Sequence, residues 1–193
     1  MKGLSNFRAK VKDILDGQRL FSTHELVVVG IFAAGSRATT LMVALIGGGM
    51  NPLTMVVRSA VHSALLVVLL AKVSRTGALT MANLVGGLLA FFLMGQAMVA
   101  LPAIIAGTLA VEILIRALGG LEKRPALGAL AVALSEFFTR MINVGVSYLT
   151  FREQPAMIIM VLVITAVSYF GILLGLFGGV SMTRELKHAG LIG

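Results

Sequence analysis

Three arginines stand inside long apolar runs where a membrane-compatible sequence should carry no charge: Arg37, Arg58 and Arg140. A charge at the centre of a membrane helix costs at least about 2.5–3.5 kcal/mol on insertion scales, so each needs a reason. The chemistry these side chains offer is anion recognition, because a planar guanidinium presents a fork of donors that matches a carboxylate or a phosphate. His62 follows Arg58 by four residues and Asn143 follows Arg140 by three, which sets each pair on one helix face. Competing accounts exist for each residue. Glu136, four residues before Arg140, has the spacing of an intrahelical ion pair. Arg58 is shallow enough to snorkel to the headgroups. His62, Asn83, Gln96 and Asn143 are also the residue types that hydrogen-bond between membrane helices.

Other chemistries lack their residues. With no cysteine, the chain has no disulfide, thiolate metal site or Cys nucleophile. Its 3 histidines, His24, His62 and His188, are too few and too dispersed for a multi-His metal centre. The phosphate-cradling GxxxxGK[ST] pattern, HExxH and GxSxG are all absent, and Asp13 and Asp16 are the only aspartates. The expectation is a non-catalytic protein with no metal and no cofactor, which is not itself an ATPase.

The elements that must position the arginines are membrane helices. Of 193 residues 58% are hydrophobic and only 12% charged, against about 25% charged in soluble domains. Roughly 20 apolar residues cross the hydrocarbon, and six stretches qualify, near Glu25–Ile46, Leu53–Ala71, Ala78–Gln96, Met98–Leu118, Ala126–Leu149 and Ala156–Val180. The predicted fold is therefore an all-α integral membrane protein, a six-transmembrane-helix bundle over residues 23–181. A basic segment precedes it at 1–22 and a cytoplasmic tail follows at 182–193. Leu4 to Phe21 reads either as an amphipathic helix on the membrane surface or as a solvated basic lead-in.

Orientation follows from the Lys and Arg of the connections. Lys2, Arg8, Lys10, Lys12 and Arg19, then Lys72 and Arg75, then Arg116, Lys123 and Arg124, then Arg184 and Lys187 all fall on one side, and only Arg152 on the other. Both termini are expected in the cytoplasm. The net charge of +8 is thus spent on orientation, with no nucleic-acid partner expected. At about 1.5 Å per residue, Arg58 lies roughly 9 Å below the outer surface and Arg37 and Arg140 about 14–15 Å. The outer half then holds three arginines against one glutamate, a basic cavity that an anionic ligand would neutralise.

Several short patterns resemble the substrate-binding S components of energy-coupling factor (ECF) vitamin transporters, closest to the Trep_Strep or MptD-like branch. They are Lys12-Asp13-Ile14; Thr23-His24-Glu25-Leu26 leading into Gly30-Ile31-Phe32-Ala33-Ala34; Lys72-Val73-Ser74-Arg75-Thr76-Gly77; Gly86-Gly87-Leu88-Leu89; and Ile105 to Ile115 followed by Gly119-Gly120. The resemblance implies a capture subunit in a bacterial or archaeal cytoplasmic membrane. Such a subunit docks on a transmembrane coupling (T) subunit driven by two cytoplasmic ABC ATPases. It implies that the stripe of Gly30, Ala34 and Ala38 is the docking face, and that the loop at Gly47 to Pro52, with Met50 and Asn51, covers the ligand. The expected cargo is a small anionic micronutrient, a vitamin or a tetrapyrrole such as haem with His62 near the iron. The alternatives are a small membrane enzyme using His62 and Glu112, or a channel or structural subunit.

Overall fold

Local chemistry sets the helix ends. Before the first helix, Ser22 and Glu25 form a reciprocal capping box: Ser22 N–H donates to Glu25 Oε2 at 2.6 Å and Glu25 N–H to Ser22 Oγ at 3.2 Å. Before the second, Asn51 is the N-cap, its Oδ1 accepting from Leu53 N–H at 3.0 Å, and Pro52 takes the first helical position. Gly77, at φ 98°, makes the turn into the third helix, a backbone shape that glycine alone adopts without strain. Pro155 opens the sixth.

The computed structural model describes residues 21–47, 51–75, 77–94, 100–118, 121 and 127–190. Among these the chain is all-helical, with α1 Thr23–Gly47, α2 Pro52–Lys72, α3 Ala78–Met94, α4 Ala100–Ala117, α5 Leu127–Thr150 and α6 Pro155–His188. Helices α1, α2, α5 and α6 are long and apolar enough to cross a membrane. α3, with 17 residues, is a shorter apolar helix, and α4 has 18. Large apolar side chains cover the outside, among them Leu45, Ile46, Phe92, Leu149 and Phe177, each at least 73% exposed. A soluble surface of that kind would aggregate. The protein is a multi-pass, all-helical membrane protein.

The helices close into a ring, α1–α2–α6–α5–α4–α3 and back to α1, with α2 also reaching α5 and α3 across the middle. The tightest seam is α2 against α6, and glycines explain it. A methyl group at Gly171 would sit 2.5 Å from Val56 O, one at Gly175 would overlap Ala60 O and Ser63 Oγ, and one at Gly179 would lie 2.9 Å from Ala64 O. Each successive glycine meets the α2 residue four beyond the last, so the two helices run parallel and in register. Small residues four apart let membrane helices approach closely. Ser63 Oγ donates to Ile172 O at 3.1 Å across the same seam.

The bundle has two unlike halves. Around the ends at Thr23, Lys72, Ala78, Ala117 and Leu127 the interior is apolar, built on Val29, Leu69, Leu79, Val111 and Val132, all at most 1% exposed. Arg75 Nε pairs with Glu25 Oε1 at 3.0 Å and ties that end together. The other half holds the polar interior described below.

The last helix outruns its apolar stretch, which ends near Val180: α6 continues through the tail residues to His188 and stops only where Gly190 turns at φ 72°. Hydropathy ends at Val180, whereas helix-forming residues such as Met182, Arg184, Glu185 and Leu186 carry the backbone on. The basic lead-in at 1–20 and the 95–99 connection lie outside the described residues.

Candidate ligand-binding site

Five of the seven substrate-site residues expected from the sequence meet in one cavity of about 210 Å³: Arg37, Arg58, His62, Arg140 and Asn143. They come from the second half of α1, the first half of α2 and the second half of α5, three stretches that adjoin the 47–52 and 150–155 connections. Thr40, Ser59, Asn83, Ile104, Glu136 and Thr139 complete the wall.

Among the described residues Glu136 is the cavity's one carboxylate, and it is shared. His62 Nε2 lies 3.4 Å from Glu136 Oε1, and Arg140 Nη2 lies 3.7 Å from Oε2. The other ring nitrogen, His62 Nδ1, is 2.6 Å from Ser36 Oγ on α1. A neutral ring protonated at Nε2 donates to the carboxylate and accepts the Ser36 hydroxyl at Nδ1. His62 therefore joins α1, α2 and α5, the interhelical role weighed for it, and also faces the cavity. The Glu136–Arg140 pair predicted from the four-residue spacing is present, though long and monodentate.

That leaves a surplus of donors. Among the described residues no carboxylate lies within ion-pair distance of Arg37 or Arg58. Arg37 Nε and Arg140 Nε are buried with no hydrogen-bond partner. A buried donor left unmade costs about 1–3 kcal/mol, more when charged. The Arg37 guanidinium lies against α3, where a methyl group on Gly86 would sit 3.2 Å from Nε. Arg58 lines the same cavity as Arg37 and Arg140, so three like charges repel one another across it. Three cations thus crowd one carboxylate, the arrangement that an anion relieves.

Asn51 is exposed, its Oδ1 caps α2, and it is not among the residues lining this cavity; Met50 lies outside the described residues. The pairing of His62 with Glu112 that an enzyme reading requires is not formed. Glu112 sits in the apolar half, where Oε1 accepts from Thr80 N–H at 3.0 Å in the first turn of α3. Thr40, Ser59 and Thr139 escaped the sequence reading because membrane helices hide hydroxyls readily; Thr40 Oγ1 donates to Ser36 O in its own helix at 2.9 Å.

The expected docking stripe is separate from the cavity. Ala34 and Ala38 are exposed, Gly30 is half-buried, and a methyl group at Gly30 would meet nothing within 4 Å. With Ile31, 64% exposed, and Met42, 63% exposed, they form an uncovered face of α1. Among the described residues no group of three or more His, Cys, Asp or Glu side chains is placed to hold a metal ion. No protein-family model, no curated protein and no solved structure matches this chain.

Proposed function

We propose that this protein is the substrate-capture subunit of an ATP-driven importer of the energy-coupling factor type, taking a compact anion from outside the cell. The observation that carries the reading is the cationic cavity, in which Arg37, Arg58 and Arg140 outnumber Glu136 and two buried guanidinium donors lack partners. An anion with two negative charges, a dicarboxylate or a phosphate monoester, would offset the surplus and pair with the guanidinium groups that line the cavity. The cavity of about 210 Å³ falls below the roughly 300–1,000 Å³ of pockets that hold drug-sized ligands. A small vitamin or precursor fits this size better than a tetrapyrrole.

In this reading all six helices cross the membrane, with both termini cytoplasmic. The parallel register of α2 and α6 supports it, because parallel spans need an odd number of crossings between them, and α3, α4 and α5 supply three. The cavity then opens outward and the apolar half faces the cytoplasm. Ala34 and Ala38 present a flat, uncovered strip to the coupling subunit, which two cytoplasmic ABC ATPases drive. The chain itself performs no chemistry on its cargo.

The test separates capture from transport. Cells holding the chain with its coupling subunit and ATPases should accumulate the anion that the purified chain retains. Ala34→Trp should abolish accumulation while the isolated variant binds normally, because the indole holds the partner helix away. Accumulation by the chain without an ATPase, or unimpaired accumulation by Ala34→Trp, would contradict the proposal.

A further inference from the structure

At the opposite end of the bundle from the cationic cavity, a second cleft of about 300 Å³ opens between the ends of α2 and α6 and the start of α5. Its floor is apolar, with Val67 and Ala71 from α2 and Val180 from α6, and its rim carries Arg184 and Lys187. Both rim residues are exposed, and among the described residues neither has an acidic partner. Thr183 also borders the cleft, but its hydroxyl proton is already donated to Gly179 O at 2.8 Å. The charged donors on offer to an anion are therefore the two cations.

The level of the cleft follows from the helix that builds it. α6 has 34 residues, about 51 Å at 1.5 Å per residue, against roughly 30 Å of hydrocarbon. Its apolar stretch ends at Val180, so Arg184 and Lys187 stand in the headgroup layer. The register of α2 against α6 sets Lys72, the last residue of α2, at the same height. The cleft is thus charged at headgroup depth and apolar just below, which is the profile of a single phospholipid molecule. A soluble anion would have no use for the floor, and an acyl chain alone would have no use for the rim. Basic pockets between membrane helices at this depth hold anionic headgroups.

We infer that the cleft between α2, α5 and α6 is a binding site for one anionic phospholipid, its phosphate on Arg184 and Lys187 and an acyl chain along Val67, Ala71 and Val180. The site is independent of the cargo cavity and does not require the transport reading to hold.

Native mass spectrometry of the purified protein in detergent tests it. Phosphatidylglycerol should remain bound at collision energies that strip phosphatidylcholine. The Arg184→Gln/Lys187→Gln double variant should lose roughly 30-fold in phosphatidylglycerol affinity, two charges' worth at the headgroup surface. Ala71→Phe, which fills the floor and keeps both charges, should also release the lipid. Arg152→Gln, at the other end of the bundle, should retain it. Inorganic phosphate at millimolar concentration should not displace the lipid, because it lacks an acyl chain. Equal retention of the two lipids, retention by the double variant, or displacement by phosphate alone would overturn the proposal. Full retention by a folded Ala71→Phe would reduce the site to surface adhesion, which also overturns it. If Ala71→Phe fails to fold, the double variant decides the matter, since its two side chains are exposed.

Discussion

Glu136 holds two partners, and that changes what removing either one does. In an isolated pair, deleting Arg140 would strand a carboxylate in the bundle, and breaking a buried pair in that way costs about 3–5 kcal/mol. Here His62 remains 3.4 Å from Glu136 when Arg140 is removed, and Arg140 remains 3.7 Å away when His62 is removed. Each of Arg140→Ala and His62→Ala should therefore lower thermal stability in detergent only modestly. The double variant should lose more than the two together, by a coupling of about 0.5–3 kcal/mol. Strictly additive losses would show that the sharing has no energetic weight. At this scale the sequence was legible wherever a charge interrupted an apolar run, which is why Arg37, Arg58, Arg140 and their helix-face neighbours His62 and Asn143 stood out. It was opaque for hydroxyls such as Ser59 and Thr139, whose presence in an apolar helix needs no partner. Asn51 was expected at the site from the loop that holds it, and the backbone also makes it the cap of α2.

Among the elements, α6 is the one whose role the sequence carried in plain view without its being read. Gly171, Gly175 and Gly179 repeat at the four-residue spacing of a close-packing membrane helix, and all three fit against α2 backbone. The similar stripe on α1, Gly30, Ala34 and Ala38, drew attention instead, yet it packs on nothing within the described residues. Spacing alone identifies a face that permits close approach and does not say which neighbour takes it. Gly175→Ala should lower the unfolding midpoint, since its new methyl group overlaps Ala60 O and forcing such overlap costs about 1–3 kcal/mol. Gly178→Ala, with nothing within 4 Å, should hold the midpoint or raise it, because alanine is the better helix former. Equal effects of the two substitutions would contradict the seam. The helix limits sit where Asn51-Pro52, Gly77 and Pro155 leave the backbone few alternatives. The overrun of α6 past Val180 was not legible, because hydropathy marks where the lipid ends and helical propensity marks where the helix ends.

For the molecule as a whole, charge placement, apolar length and polar interior support the proposed arrangement, in which the basic connections lie on the cytoplasmic face and the cavity opens outward. The chain has no cysteine of its own, so single-cysteine labelling reads this cleanly. Glu153→Cys should react with a membrane-impermeant maleimide in intact cells, and Ser74→Cys only after permeabilisation; the reverse pattern would invert the protein and point the cavity at the cytoplasm. The central claim, that the cationic cavity captures a compact anion, is tested most directly by ligand affinity. The small molecule released from purified protein on denaturation is identified by mass spectrometry and its affinity is then measured for the wild type, Arg37→Ala and Arg58→Ala. A charge-assisted hydrogen bond contributes about 1.5–3 kcal/mol, so each variant should bind roughly 10- to 100-fold more weakly, with an anion as the released molecule. A neutral or cationic ligand, or unchanged affinity in both arginine variants, would contradict the account.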